Sequence, residues 1–412
     1  MIATDAPIRV IRGEFSGEPL VIVDCPSLAP IWRESGVSWR IYGKQGTINC
    51  IHRKSQTISK WSRIFGGLPY SPFASDIWAC IVERVEDCFD VKIKKVCSVG
   101  TVARVILQRV IGDAWRPTCG RSGKMVRAAK RGARIQCFRH TGDGPCTLAE
   151  VDLPGAYPTA GMFLLPWYAP YKLSPSAPKT GDIELWEVEI KGPDRYINPL
   201  PDYDWGAGKV CYPSGRWKGV YWLRELELLD RLEGWSYWPT KRLAFPAYSG
   251  LSATMGAMKH LRESDPMLAK YWKSLAVASI GVLAQRSSPQ QIIQKQRPEV
   301  GDVPVSLRDG LYLVRKEGAS RPATWNREQI ASYVWMSVRK HLTETLMRIP
   351  RENLISCHTD GILVEGEVDC PPGWIEKKKR KVKSHWQVRH PGALSVDGKT
   401  IRLPGVPKHK RG

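Results

Sequence analysis

Two apolar segments far apart in the chain, TLAEVD at 147–152 and LISCHTD at 354–360, read as strands, and each ends on an aspartate beside a turn. Pro154-Gly155 breaks the chain just after the first, and Gly361 follows the second directly. If the two strands lie side by side in one sheet, the residues between them must be built out from that sheet, which limits the fold more than any other feature. A strand-end aspartate is by itself most often a turn former or a cap. What lifts Asp152 and Asp360 above that reading is the sequence around each. Two carboxylates on neighbouring strands suit phosphoryl transfer between nucleotides, which needs two Mg²⁺ about 4 Å apart and little covalent chemistry from the protein. Mg²⁺ accepts carboxylate oxygens completed by waters and phosphates.

The charge balance points the same way. Lys plus Arg number 62 against 40 acidic residues, a formal net charge of +22 over 412 residues. Such a surplus attracts polyanions, and nucleic acid is the first partner to consider because neutralised phosphates release counterions. An anionic membrane surface is the rival, but no long amphipathic helix with a basic face is visible, and no run approaches the ~20 apolar residues that span a bilayer. Residues 1–19 lack an apolar signal core. Eleven cysteines without a CxxC pair suggest free thiols in a reducing compartment, hence a cytoplasmic protein (host cytoplasm if viral). The seventeen tryptophans are expected in cores and subdomain interfaces, with some free to stack on bases.

Along the chain, residues 1–95 read as short strands and turns, including 20–23 and 37–42, and 99–112 as an amphipathic helix. A basic stretch covers 116–139, a strand 182–191, and a Pro- and Gly-rich loop 193–219. Helices are expected at 222–233 and 254–286, the latter interrupted at Asp265-Pro266. A hairpin excursion is expected at 287–324 and a long helix capped by Asn326 at 326–348.

With these segments in place, the chain resembles family B DNA polymerases, in particular the protein-primed type of phages and linear plasmids. VDLPGAYPTAGM (151–162) is similar to motif A, an Asp followed five residues later by Tyr-Pro: Asp152, then Tyr157-Pro158. SCHTDGI (356–362) resembles motif C, Tyr-x-Asp-Thr-Asp-Ser. Thr359-Asp360 match, His358 replaces the first Asp, and Gly361 replaces Ser. KSLAVASIGVLAQR (273–286) resembles motif B, Lys-x-x-x-Asn-Ser-x-Tyr-Gly. Lys273 and Gly281 match, while Val277, Ala278 and Ile280 depart. RAAKRGARIQCF (127–138) resembles the template-contacting segment ahead of motif A, with Gly132 and Arg134 matching. Residues 215–229, 327–342 and 403–408 resemble, in order, the segment returning to the palm, the helix feeding motif C and the last palm segment. The resemblance covers residues 97–408, and the collinear order carries it.

The resemblance implies an α+β fold: a palm of antiparallel sheet backed by helices, helical fingers, a reduced amino-terminal domain and a minimal or absent thumb. The implied division is a reduced amino-terminal domain at 1–96, a first stretch of the palm with motif A at 97–230 and fingers with motif B at 231–286. A hairpin insertion at 287–324 and a second stretch of the palm with motif C and a basic tail at 325–412 complete it. It implies Asp152, Asp360 and the Leu153 carbonyl as ligands of two Mg²⁺, which Mn²⁺ can replace. Tyr157 would lie under the incoming sugar and exclude a 2′-hydroxyl. Lys273, with Arg262 and Lys259, would bind the triphosphate beside Gly281, and His358 would modulate the metal site. Arg127, Lys130, Arg131, Arg134, Lys381 and Lys383 are expected on phosphates of a primer-template. The only strand end comparable to a proofreading motif is Asp24-Cys25-Pro26, and one carboxylate cannot organise two-metal hydrolysis, so no 3′–5′ exonuclease is expected. Partners implied are DNA, dNTPs, and a terminal protein or accessory subunit in place of the thumb, with no membrane. Two alternatives stand beside simple extension: a protein-primed or primer-independent initiator, and a degenerate, non-catalytic nucleic-acid-binding palm.

Overall fold

The structure, a computed structural model, describes residues 14–15, 18–23, 38–43, 47–52, 55–60, 64–68, 74–93, 97–112, 120–167, 169–204, 209–285, 291–294, 305–306, 312–315, 326–367, 369–390 and 393–402. Asp24 and residues 403–408 lie outside them. The chain divides into two compact units, one of residues 1–118 and 265–328, the other of 119–264 and 329–412. Among the described residues no helix is long and apolar enough to cross a membrane.

In the second unit the strand Cys146–Asp152 lies inside a five-stranded antiparallel sheet. The order is Ile375–Val382, Cys146–Asp152, Gly361–Glu365, Leu354–His358, Ile135–Cys137. Its side chains alternate as a strand requires. Ala149 and Val151 enter a core with Ile362, Val364 and Cys357, closed by Leu342 and Leu346 of the long helix Glu328–Leu346. Leu148 faces the opposite core with Ile355, Leu363 and Trp386. A strand covered on both faces reads as a continuous apolar run, and Leu148–Val151 are all buried. Glu150 is the one acid in that run, and Arg380 pairs with it at 2.7 Å. A second antiparallel sheet joins Thr141–Asp143, His385–His390, Ala393–Val396 and Lys399–Arg402.

A third sheet corrects the sequence reading. The segment 193–219 is not all loop: Gly215–Trp222 is a strand in continuous register with Ile183–Gly192, which pairs on its other edge with Ser236–Phe245. Gly215, Lys218 and Gly219 obscure its alternation, and the partner strand supplies what local propensity lacks. Within this sheet Arg242 and Glu184, side chains 1% and 0% exposed, form an ion pair at 2.7 Å. The guanidinium also lies over the Trp186 ring. The expected helix at 222–233 shrinks to Leu223–Leu226 and a 3₁₀ turn, Leu229–Arg231. The basic stretch contains a helix, Gly120–Ala129.

The first unit holds a five-stranded sheet spanning Glu14 to Lys60, in which only Glu18–Val23 and Ser38–Gly43 pair in parallel. The helix Ala74–Phe89 replaces the strands and turns expected there. It buries Trp78, Ile81, Val82, Val85 and Phe89, a helical stripe. Ser98 caps the helix Val99–Ile111 by accepting the Thr101 N–H at 3.2 Å, and that helix packs on Ala269–Leu283. Gly66 makes the close approach here: at φ 60°, a Cβ on it would lie 2.7 Å from Ser274. Asn326 accepts the Glu328 N–H at the start of Glu328–Leu346, as its capping role requires. Strands Gln291–Gln294, Val305–Ser306 and Tyr312–Arg315 form a small sheet.

Candidate active site

Asp152 ends its strand directly opposite Gly361, its partner in the ladder. The Leu153 N–H donates to the Asp360 carbonyl at 2.9 Å, so the backbones bearing both aspartates are joined at one end of the central strands. A Cβ at Gly361 would meet Asp152 Oδ1 at 3.6 Å, an ordinary van der Waals contact. Asp360 sits at the tip of the hairpin Leu354–His358/Gly361–Glu365. Before it, Thr359 adopts φ 60°, a left-handed conformation that a β-branched residue rarely takes. Local bonds hold it there: its N–H donates to the Arg134 carbonyl at 3.0 Å, and its hydroxyl lies 2.7 Å from the His358 carbonyl and 2.6 Å from Asp360 Oδ1. His358 is half-buried as the last residue of its strand, paired with Ile135 and Gly361.

After Asp152, Gly155 turns the chain at φ 64° into the short helix Ala156–Ala160, which carries Tyr157. Burial raises the Tyr157 phenol well above its ordinary range, and the Asp360 charge raises it further. The ring and the carboxylate therefore share one electrostatic neighbourhood. The helix Leu251–Ser264 packs on Ala156–Ala160. It brings Arg262 to the turn, with Nη1 3.9 Å from where a Gly155 Cβ would be, while Lys259 is exposed on the same helix.

One contact was not read from the sequence: Lys377 Nζ lies 3.1 Å from Asp152 Oδ2. Lys377 stands in the strand next to Asp152, two residues past Ile375, the ladder partner of Asp152. In sequence it is one cation of a basic run, and only strand pairing singles it out.

The other predicted residues lie on separate elements. Lys273 and Gly281 are exposed on the helix Ala269–Leu283 of the first unit, along one face with Val277. Lys381 is exposed on Ile375–Val382, and Lys383 is exposed in a turn whose N–H groups at 383, 384 and 385 all donate to Asp397. Those bonds hold the Asp397 carboxyl far below the usual range. Arg127 is exposed and Lys130 half-buried.

Arg131 and Arg134 are a correction. They are 6% and 0% exposed, so their guanidiniums are committed inside the protein and not to phosphates. Arg131 bonds the Val220 carbonyl and Asp202. Arg134 bonds the Asn198 carbonyl, Thr343 and Gln136.

Among the described residues no three His, Cys, Asp or Glu side chains gather as a metal cluster. The donors at this end of the sheet are two hard carboxylates beside main-chain carbonyls. That set fits Mg²⁺, which usually takes one or two carboxylates and completes its shell with waters and substrate phosphates; it does not fit Zn²⁺, which wants His or Cys.

The chain has the fold of a DNA polymerase. Its structure is similar to that of Phi29 DNA polymerase in an orthorhombic crystal form, with a TM-score of 0.60 at 13% identity over 94% of this chain and 81% of that one. Against the same polymerase complexed with primer-template DNA and incoming nucleotide substrates, the TM-score is 0.59 at 14% identity, over 92% of this chain and 79% of that one. No protein-family model matches the chain, and no curated protein matches its sequence.

Proposed function

We propose that this chain is a template-directed DNA polymerase that joins deoxynucleotides to a primer 3′-hydroxyl, with Asp152 and Asp360 holding two Mg²⁺. One observation carries the reading: the main-chain bond from Leu153 to Asp360 joins the two aspartate-bearing segments at one end of the central strands, in a fold like that of Phi29 DNA polymerase. Bound Mg²⁺ supplies the positive charge that stabilises the attacking 3′-oxyanion and the leaving pyrophosphate.

The chain's own residues orient the reactants. Tyr157 presents a neutral ring to the sugar and leaves no room for a 2′-hydroxyl. Arg262, beside the motif A turn, takes the triphosphate with Lys259. Arg127, Lys381 and Lys383, all exposed, grip the phosphates of a primer-template without reading sequence. Lys377 neutralises Asp152 and holds the Oδ2 oxygen that Mg²⁺ would share.

The ion pair of Lys377 with Asp152 also favours a second reading, a nucleic-acid-binding palm that no longer catalyses. Primer extension separates the two. With Mg²⁺ and dNTPs the purified protein is expected to add template-matched nucleotides, and Asp360→Ala to lose about 100-fold or more in rate, on the order of 3 kcal/mol of transition-state stabilisation. DNA binding without any metal-dependent extension would establish the second reading instead.

A further inference from the structure

Arg134 is fully buried, and its bonding partners are neutral. Nη1 donates to the Asn198 carbonyl at 3.0 Å and to the Thr343 hydroxyl at 3.2 Å. Nε and Nη2 donate to Gln136 Oε1 at 3.1 and 2.6 Å, and the guanidinium lies 3.9 Å from the centre of the Tyr212 ring. Among the described residues no carboxylate pairs with it, whereas its buried neighbour Arg339 has Glu225 at 2.7 Å and Arg131 has Asp202 at 3.1 Å. Burying a cation without a counter-ion is costly. Such a group persists when the bonds it makes fix something that an apolar side chain could not.

What Arg134 fixes is visible in the backbone. Its carbonyl accepts the Thr359 N–H, one residue before Asp360, where the chain is held at φ 60°. The residues before it are fixed too: Arg339 donates to the carbonyls of Arg131 and Gly132 at 2.9 and 2.8 Å. Residues 131–134 thus form a strut tied on one side to the helix Glu328–Leu346, through Arg339 and Thr343, and on the other to the hairpin tip.

We infer that Arg134 is a positioning residue for Asp360, setting the carboxylate for metal through the Thr359 backbone without itself touching metal or substrate. This rests on the metal-binding element of the proposed function and extends it to a residue outside the site.

The test is Mn²⁺ binding to the full chain without DNA, followed by electron paramagnetic resonance, with thermal unfolding measured in parallel. Removing a group that orients a metal ligand typically weakens binding by about 10- to 100-fold. Arg134→Met is expected to show a loss of that size at a temperature where it is folded. Arg134→Lys, which keeps the charge but loses the fork, is expected to fall between it and wild type. Thr343→Val removes one bond and should cost about threefold; it carries the test if Arg134→Met does not fold. Lower unfolding temperatures with Mn²⁺ affinity unchanged in the folded variants would overturn the inference, because that is what a merely structural role produces. Wild-type protein that binds Mn²⁺ through Asp360 and extends no primer defeats the polymerase reading, while the positioning role still stands on the Mn²⁺ series.

Discussion

Tyr157 is the side chain on which the proposed substrate choice depends. Burial and the nearby Asp360 charge keep its phenol protonated, so the surface that the proposal sets against the sugar is bulky and neutral. Exclusion of this kind is removed by making the residue smaller. Tyr157→Val is expected to raise the use of ribonucleotides relative to deoxynucleotides by about tenfold or more, measured as the ratio of kcat/KM for rNTP and dNTP. An unchanged ratio would remove Tyr157 from the sugar site. The strand-end positions of Asp152 and Asp360 were legible because their signal is local, an apolar run reaching a turn. Arg131 and Arg134 were not, because an arginine-rich run looks the same whether it faces DNA or a core. Their burial is decided by Val220, Asn198 and Thr343, all far away in sequence.

Among the elements, the helix Glu328–Leu346 carries a titratable group with a clear sign. Trp374 Nε1–H donates to His341 Nε2 at 3.1 Å, which requires an unprotonated nitrogen, and burial lowers the His341 pKa from 6.5. The unfolded chain therefore binds the proton more readily than the folded one. The contribution is fully present above about pH 6.5 and is lost as the pH falls toward the lowered value. Wild type is expected to lose thermal stability between pH 7 and 5, and His341→Gln to lose less over the same range. Parallel pH profiles for the two proteins would contradict this. The same helix was read from sequence through its length and its cap at Asn326. The helix Ala74–Phe89 was missed although its buried positions follow a helical period, because the strand-like segments before it set the expectation. The strand Gly215–Trp222 was missed for another reason: its glycines and cations hide the alternation, and only its register with Ile183–Gly192 reveals it.

At the scale of the whole molecule, a net charge of +22 suits a polyanion but says nothing of fold. The polymerase fold emerged from the order of imperfect segments along the chain, and the structure bears that fold out at 13–14% identity to Phi29 DNA polymerase. Sequences this different can share one topology because a core asks only for apolar volume at the right period. What remains decisive is whether the two aspartates hold metal together. Diffraction from crystals grown with Mn²⁺, a dideoxy-terminated primer-template and the matching dNTP would answer it through anomalous density. Peaks are expected about 2.1 Å from carboxylate oxygens of both Asp152 and Asp360. Bound DNA and nucleotide with no anomalous peak touching either carboxylate would contradict it.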